Sequence, residues 1–163
     1  MTDYYVDASA LVKRYADESG SMWVRQITDP PAQHTILLAE ITLAEVAAAL
    51  AAKHRAPDGI TQEQRDRILS RFLQDCAEHF VLLPLDRLVI DRAVELTQRH
   101  RLRGYDAVQL ATALVTAETL QVQNLSAPIF VAADGDLLTA AAAEHFSVEN
   151  PRSHPEPTSP PES

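Results

Sequence analysis

Four acidic side chains stand inside apolar stretches of this sequence, where an unpartnered charge is costly. They are Asp7, Glu45, Asp106 and Asp134, and no Lys or Arg lies within three residues of Glu45 or Asp134. Two carboxylates about 5 Å apart repel by roughly 3 kcal/mol at an effective dielectric of about 20. A hard divalent cation removes that cost because it prefers oxygen ligands. If the four side chains converge, they predict a Mg²⁺ or Mn²⁺ site suited to phosphodiester chemistry.

Helix capping is the alternative explanation for three of these acids. Asp7, Asp106 and Asp134 each precede or open a predicted helix, and Asp is a favoured N-cap residue. Glu45 lies inside an alanine-rich helix predicted over residues 40–54, and the side chains three and four positions away offer it no cation. Its alternative is a partly exposed helix edge. Glu45 therefore carries more of the case for a functional site than the three aspartates do.

Short β-rich runs alternate with helical patterns along the chain. Strands are predicted at Tyr4–Val6, His34–Leu38, Phe80–Leu83, Ile129–Ala132 and Phe146–Val148, with amphipathic or alanine-rich helical segments between them. This alternation predicts an α/β domain with a mostly parallel sheet. Ligands of such sheets bind beyond the carboxyl ends of the strands, where Asp7 and Asp134 are expected.

Composition limits the class of protein. The 163 residues fit a single domain, no apolar run approaches the roughly 18 residues that span a bilayer, and the N-terminus does not read as a signal peptide. One cysteine, Cys76, rules out an internal disulfide, which is compatible with the cytosol. Together with the lack of a long apolar run, this leads us to expect a cytoplasmic protein that does not enter a membrane. The net charge of −9 disfavours binding of nucleic acid by phosphate neutralisation alone, and it suits a basic protein partner.

The C-terminal end differs in composition from the rest. Residues 151–163 contain five prolines together with Ser and Glu, and no aliphatic residue. Such a segment buries too little apolar surface to fold by itself. We therefore expect a domain over residues 1–150 and a disordered tail over residues 151–163.

Four sequence blocks resemble those of PIN domains and occur in the same order. They are Val6–Lys13, Thr42–Val46, Leu102–Ala113 and Phe130–Asp134. The closest resemblance is to VapC-type toxins of bacterial toxin–antitoxin pairs, and it covers residue 3 to about residue 150. It implies a single PIN-like domain in which helices flank a central parallel sheet in three α/β/α layers.

The resemblance also implies a function. A member of this family would be a Mg²⁺- or Mn²⁺-dependent endoribonuclease that hydrolyses RNA with metal-activated water. Asp7 and Asp106 match the main metal ligands, and Glu45 and Asp134 would complete the site directly or through water. The family further implies a homodimer and inhibition by a cognate antitoxin protein.

Other residues near the four blocks have two interpretations each. Ser9 can contact metal-bound water or phosphate, or it can cap a helix. Asp136 can ligate the metal or support a helix start, and Arg103 can hold an RNA phosphate or remain a solvated side chain. The chain departs from the family where a hydroxyl is common, with Ala132 two residues before the fourth acid and Ala39 six residues before the second. These departures bear on the fine geometry of the site.

Two rival functions remain open from the sequence. One is a catalytically silent PIN-fold module that acts through a protein partner. The other is a Mg²⁺-dependent phosphoacceptor domain, which needs paired acids after the first strand and a lone Asp after a middle strand. Here Asp7 alone ends the first strand, and Leu82-Leu83-Pro84 supplies no Asp.

Overall fold

Five parallel strands form one central sheet. The computed structural model describes residues 1–158. The strands are β1 (Asp3–Val6), β2 (Thr35–Ala39), β3 (Val81–Leu83), β4 (Ile129–Val131) and β5 (Val148–Glu149). They lie in the order β3-β2-β1-β4-β5, and every neighbouring pair is parallel. The predicted parallel sheet is therefore confirmed.

Seven α-helices connect the strands within residues 1–158. They are α1 (Ala8–Tyr15), α2 (Ser21–Thr28), α3 (Ile41–Arg55), α4 (Gln62–Glu78), α5 (Arg87–Arg99), α6 (Gly104–Val122) and α7 (Gly135–Ala143). Short 3-10 helices occupy Pro30–Ala32 and Pro151–Ser153. None of the helices in this part of the chain is long and apolar enough to cross a membrane.

Strand side chains alternate between two cores, one on each face of the sheet. Tyr5 and Phe130 point to the core formed with α5, α6 and α7. Val6 and Val131, their neighbours in sequence, point to the core formed with α1, α3 and α4. The single domain thus has three α/β/α layers, as predicted.

The order in which strands are added to the sheet reverses at β1. After β1 the chain adds β2 and β3 on one side, and it then returns to place β4 and β5 on the other side. The helices that follow β1 and β4 therefore pack on opposite faces of the sheet, and ligands of such sheets bind beyond the carboxyl ends of the strands at this point. Asp7 directly follows β1, and Asp134 follows β4 as the N-cap of α7. The topology brings two of the four acids to the edge where ligands bind.

The first part of the expected C-terminal tail lies against α2. Pro151 is buried, and the His154 ring stacks on Trp23 with the centroids 4.4 Å apart. The Glu156 carboxylate accepts hydrogen bonds from the backbone N–H groups of Gly20 and Met22. Residues 151–158 thus differ from the disordered segment that composition predicts, and the rest of that segment lies outside the described residues.

Candidate active site

Asp7 is a buried carboxylate at the centre of the carboxyl edge. Its side chain is the N-cap of α1, with Oδ1 accepting from the Ala10 N–H at 3.1 Å, and the Ser9 hydroxyl donates to Oδ1 at 2.7 Å. Burial raises the pKa of Asp7 to about 7. The hydrogen bonds from Ser9 and Ala10 oppose that rise, and the charge of Glu45 adds to it. The cap interpretation is thus confirmed, yet capping alone leaves this carboxylate with a high pKa.

Ser9 joins the two central loops. While its hydroxyl donates to Asp7, its oxygen accepts the Ala133 N–H at 2.9 Å. The loop after β1 is therefore fastened to the loop after β4 through one side chain. Asp7 rather than Ser9 caps α1, and the Ser9 hydroxyl contacts both the Asp7 carboxylate and the loop after β4.

Glu45 projects from the second turn of α3 and is half-buried. Within residues 1–158 its one side-chain hydrogen bond comes from the Gln109 amide, whose Nε2 donates to Oε2 at 2.6 Å. Burial raises the pKa of Glu45, the Gln109 bond lowers it, and the charge of Asp106 raises it further. Among the described residues, the charge that acts on Glu45 is that of another carboxylate, Asp106, and no cation pairs with it, as its sequence context indicates.

Asp106 does not cap a helix. It is the third residue of α6, whose N-cap is Arg103, so the cap interpretation is wrong for this residue. The Arg103 Nε lies 3.7 Å from Asp106 Oδ2, but the arginine side chain is 87% exposed, so the pair is weak. Burial and the charge of Asp134 raise the pKa of Asp106, and Arg103 opposes them. Asp106 joins Glu45 as an acid that capping does not explain.

Asp134 and Asp136 lie at the start of α7. Asp134 is the N-cap of α7, with Oδ1 accepting from the Leu137 N–H at 2.9 Å, which confirms the cap interpretation. Asp136 is exposed, and Arg101 Nε lies 3.9 Å from its Oδ2. An open cavity of about 510 Å³ collects these groups; its lining residues are Thr97, His100, Arg101, Leu102, Arg103, Asp106, Asp134 and Asp136.

The four predicted acids form an electrostatically coupled row. The charge of Glu45 acts on Asp7, that of Asp106 on Glu45, and that of Asp134 on Asp106. Within residues 1–158, no three Asp, Glu, His or Cys side chains lie close enough together to hold a metal ion. The four carboxylates therefore do not form a closed set of metal ligands as they stand. Its donors are all carboxylate oxygens, which is the donor set that Mg²⁺ and Mn²⁺ prefer.

The sequence interpretation missed a buried glutamine beside this row. The Gln109 amide donates to Glu45 and to Thr42 Oγ1, and its oxygen accepts from the Tyr5 hydroxyl at 2.7 Å. Burial raises the pKa of Tyr5 well above its ordinary value, so the hydroxyl keeps its proton and donates. An amide inside the apolar run Ala107–Ala113 is the same signal that singled out the acids.

Two basic residues near the blocks have structural roles. Lys13 is buried and bonds Glu18, and Arg14 is buried between Asp29 and Asp75. A second cleft of about 510 Å³, lined by side chains of α1, α2 and α4, contains none of the four acids. The arginines that line the acidic cavity are Arg101 and Arg103, which are 94% and 87% exposed.

The two family departures lie in the core. Ala39 and Ala132 are buried among the apolar side chains under α5, α6 and α7. Neither position presents a hydroxyl, and the hydroxyl nearest to Asp7 comes from Ser9.

Comparison with known proteins identifies the family. The sequence pattern of the PIN domain matches residues 4–145. The chain belongs to the PIN domain family. Two relatives of this PIN domain, Ribonuclease VapC45 and Ribonuclease VapC49 from two strains of Mycobacterium tuberculosis, are each 35% identical over 114 residues. Those residues span 70% of this chain and 76% of each relative. The resemblance seen in the four blocks is confirmed.

Solved structures support the same fold. FitAB bound to a DNA fragment matches with a TM-score of 0.62 and 16% identity, covering 91% of this chain and 95% of the other. Mycobacterium tuberculosis VapC20, a sarcin-ricin loop cleaving toxin, matches at 0.57 and 15%, covering 88% and 95%. A toxin–antitoxin complex from Klebsiella pneumoniae matches at 0.52 and 23%, covering 91% and 97%. β3, whose end supplies no Asp, is an edge strand of this sheet.

Proposed function

We propose that this PIN domain is a divalent-metal-dependent endoribonuclease, acting as the toxin of a toxin–antitoxin pair. The observation that carries the proposal is the placement of the row: Asp7 follows β1, Asp106 and Asp134 line one cavity, and Glu45 bonds Gln109 one turn after Asp106. The names of the two 35% identical relatives, both ribonucleases, support RNA as the substrate. Raised pKa values on Asp7, Glu45 and Asp106 indicate carboxylates that lack compensating positive charge.

The proposed site uses all four carboxylates, which would draw closer together around the ion because no three of them form a compact group here. Asp7 and Asp106 are the proposed main ligands, with Glu45 and Asp134 completing the site directly or through water. A bound Mg²⁺ or Mn²⁺ would activate a water molecule and stabilise the leaving oxygen of the RNA phosphodiester. Ser9 would hold the Asp7 carboxylate in place through its bond to the loop after β4.

Two arginines suit the substrate backbone. Arg101 and Arg103 stand at the cavity with their guanidinium groups exposed and only loosely paired, at 3.9 Å from Asp136 and 3.7 Å from Asp106. Such side chains can exchange a distant carboxylate for a phosphate of the RNA at little cost. Asp136 would then act as an accessory carboxylate that orients Arg101.

We propose two protein partners, a cognate antitoxin and a second copy of this chain. The net charge of −9 favours a basic antitoxin segment over the acidic edge. Exposed apolar side chains around β3 and α5 suit a homodimer; they are Val81, Leu85, Leu88 and Val94. Light scattering at micromolar concentration should give twice the chain mass, and a monomer would contradict the dimer. Antitoxin binding should block RNA cleavage.

Cleavage of an unstructured labelled RNA in Mn²⁺ or Mg²⁺ tests the nuclease. Asp7→Asn and Asp106→Asn should each lower the rate by at least about 100-fold, because losing even an outer-sphere partner of a metal site costs 10- to 100-fold. Asp66→Asn is the matched control, since it removes an exposed carboxylate on α4 that pairs with Arg65. Attack by water, unlike attack by the 2′-hydroxyl, leaves no 2′,3′-cyclic phosphate among the products.

A catalytically silent module remains the second candidate. It is favoured by the loose spacing of the acids, since residues 1–158 contain no compact group of three metal-ligating side chains. Cleavage that persists in EDTA, or that survives in both Asp→Asn variants, would contradict the metal-dependent nuclease. Absence of any cleavage together with tight antitoxin binding would favour the silent module.

A further inference from the structure

We propose that Gln109 is a positioning residue that fixes the Glu45 carboxylate for metal binding, with Tyr5 fixing Gln109 in turn. The inference rests on the proposed function and assigns to it a residue that carries no charge. Its basis is the set of three hydrogen bonds that surrounds one buried amide.

The Gln109 side chain is almost fully buried, at 1% exposure, and all its polar ends are used. Nε2 donates one hydrogen to Glu45 Oε2 at 2.6 Å and the other to Thr42 Oγ1 at 2.9 Å. Oε1 accepts from the Tyr5 hydroxyl at 2.7 Å. Burying an amide is costly unless its donors and acceptor are satisfied, so this environment retains a glutamine only with its partners in place.

The charge of Glu45 determines which way the amide points. An ionised carboxylate can only accept hydrogen bonds, so the NH₂ group of Gln109 must face Glu45. The amide oxygen must then face Tyr5, whose hydroxyl is free to donate. A flipped amide would bring two oxygens together at Glu45. The network therefore has one arrangement while Glu45 is ionised, which is the state that binds a cation.

The location of the network argues for a role beyond packing. Tyr5 is on β1, two residues before Asp7, and Glu45 is on α3. Gln109 lies one helical turn after Asp106 on α6. One amide thus links α3 and α6, which carry Glu45 and Asp106, to β1, which Asp7 directly follows. Glu45 has no other side-chain hydrogen bond within residues 1–158, so losing the amide would free its rotamers.

Mn²⁺ binding measured by calorimetry tests the inference without using catalysis. Gln109→Met keeps the length and apolar volume of the side chain but removes the donor. We expect its Mn²⁺ dissociation constant to rise about tenfold, as is typical when an outer-sphere partner of a metal ligand is lost. Thr116→Val is the control, because Thr116 lies on the same helix and bonds only the Thr112 carbonyl.

A double variant distinguishes positioning from general packing. In a Glu45→Gln background, adding Gln109→Met should change Mn²⁺ affinity no further, because the amide acts through Glu45. Tyr5→Phe, which removes only the hydroxyl that orients the amide, should give a smaller loss and covers the case in which Gln109→Met does not fold.

The outcomes separate the inference from the proposed function. Mn²⁺ affinity within about twofold of wild type in folded Gln109→Met and Tyr5→Phe would overturn the inference alone, by the usual size of such effects. A wild-type chain that binds no Mn²⁺ would overturn both. Binding that is lost in Asp7→Asn and weakened in Gln109→Met would support both.

Discussion

At the scale of single residues, burial contributes more than neighbouring charges to the raised pKa values of Asp7, Glu45 and Asp106. Asp7 is 3% exposed and is surrounded by hydrogen-bond donors, yet burial still raises its pKa to about 7. A structural N-cap gains nothing from such a pKa, because an exposed Asp, Ser or Asn caps equally well. The free-energy cost of burying the Asp7 carboxylate is explained if the same carboxylate also binds the proposed metal ion.

The pKa of Asp7 predicts how stability depends on pH without metal. Between the ordinary value of 3.8 and about 7, the folded chain binds more protons at Asp7 than the unfolded chain does. The free energy of unfolding should therefore fall as pH rises through that window, by up to about 1.4 kcal/mol per unit of pH. Urea unfolding in EDTA at pH 5 and pH 7.5 measures this change in the free energy of unfolding. Asp7→Asn should be more stable relative to wild type at pH 7.5 than at pH 5.

The control for this pH experiment is Asp66→Asn. Asp66 is 54% exposed on α4, so its substitution removes no buried carboxylate. Its difference from wild type should stay constant between the two pH values. If Asp7→Asn behaves in the same way, the carboxylate is not destabilised by burial. Adding Mn²⁺ at pH 7.5 should restore stability to wild type and not to Asp7→Asn, by mass action on the folded state.

At the scale of elements, the junction of α1 and α2 depends on the C-terminal segment. Gly20 has a φ of +89°, and a Cβ built there would lie 2.2 Å from the Pro151 carbonyl oxygen. The same segment supplies the Glu156 carboxylate to the first N–H groups of α2 and a ring to stack on Trp23. The start of α2 is therefore built from two distant parts of the chain.

Gly20→Ala should separate backbone strain from collision. The left-handed φ alone should cost about 1–3 kcal/mol of unfolding free energy, and the contact with Pro151 should add to that. In a chain that ends at Asn150 the collision is removed, so the substitution should cost less there. Denaturant unfolding of the four chains measures this coupling. Gly135→Ala, where a Cβ meets nothing within 4 Å, is the matched control, and equal costs of Gly20→Ala in both backgrounds would refute the coupling.

Local patterns predicted the elements but not their arrangement. All five strands were found because buried parallel strands are short, continuous apolar runs. The strand order around β1 depends on tertiary packing, which no local pattern carries. The packing of residues 151–158 was missed for the same reason, since its partners, Gly20 and Trp23, are more than 120 positions away.

The candidate site was predictable where a residue type conflicted with its surroundings. Glu45 was singled out because a charge in an apolar helix needs a reason, and the same rule applied to amides would have found Gln109. Asp106 was misjudged as a cap because α6 begins at Gly104, which places Asp106 in the first turn and Arg103 at the N-cap. The distances between the acids depend on how helices dock on the sheet, so the loose spacing of the row could not be foreseen.

At the scale of the whole molecule, the net charge of −9 limits how RNA can be held. A basic binding protein gains affinity by neutralising many phosphates, and its affinity then falls steeply with salt. Here the cavity contributes two exposed arginines, Arg101 and Arg103, beside its carboxylates. Binding of substrate should depend on few phosphate contacts and on the proposed metal.

The salt dependence of RNA cleavage should therefore be shallow. With two phosphate contacts to a single strand, the slope of log(kcat/KM) against log[KCl] at saturating Mn²⁺ should be about −1.4, since each contact contributes about −0.7. Arg101→Ala and Arg103→Ala should each reduce the slope by about 0.7 while lowering kcat/KM uniformly across RNA sequences. Arg87→Ala, an equally exposed arginine on α5 that pairs with Asp91, should leave the slope unchanged. A slope steeper than about −4 would require phosphate contacts well beyond this cavity, and it would contradict a substrate held mainly at the acidic edge.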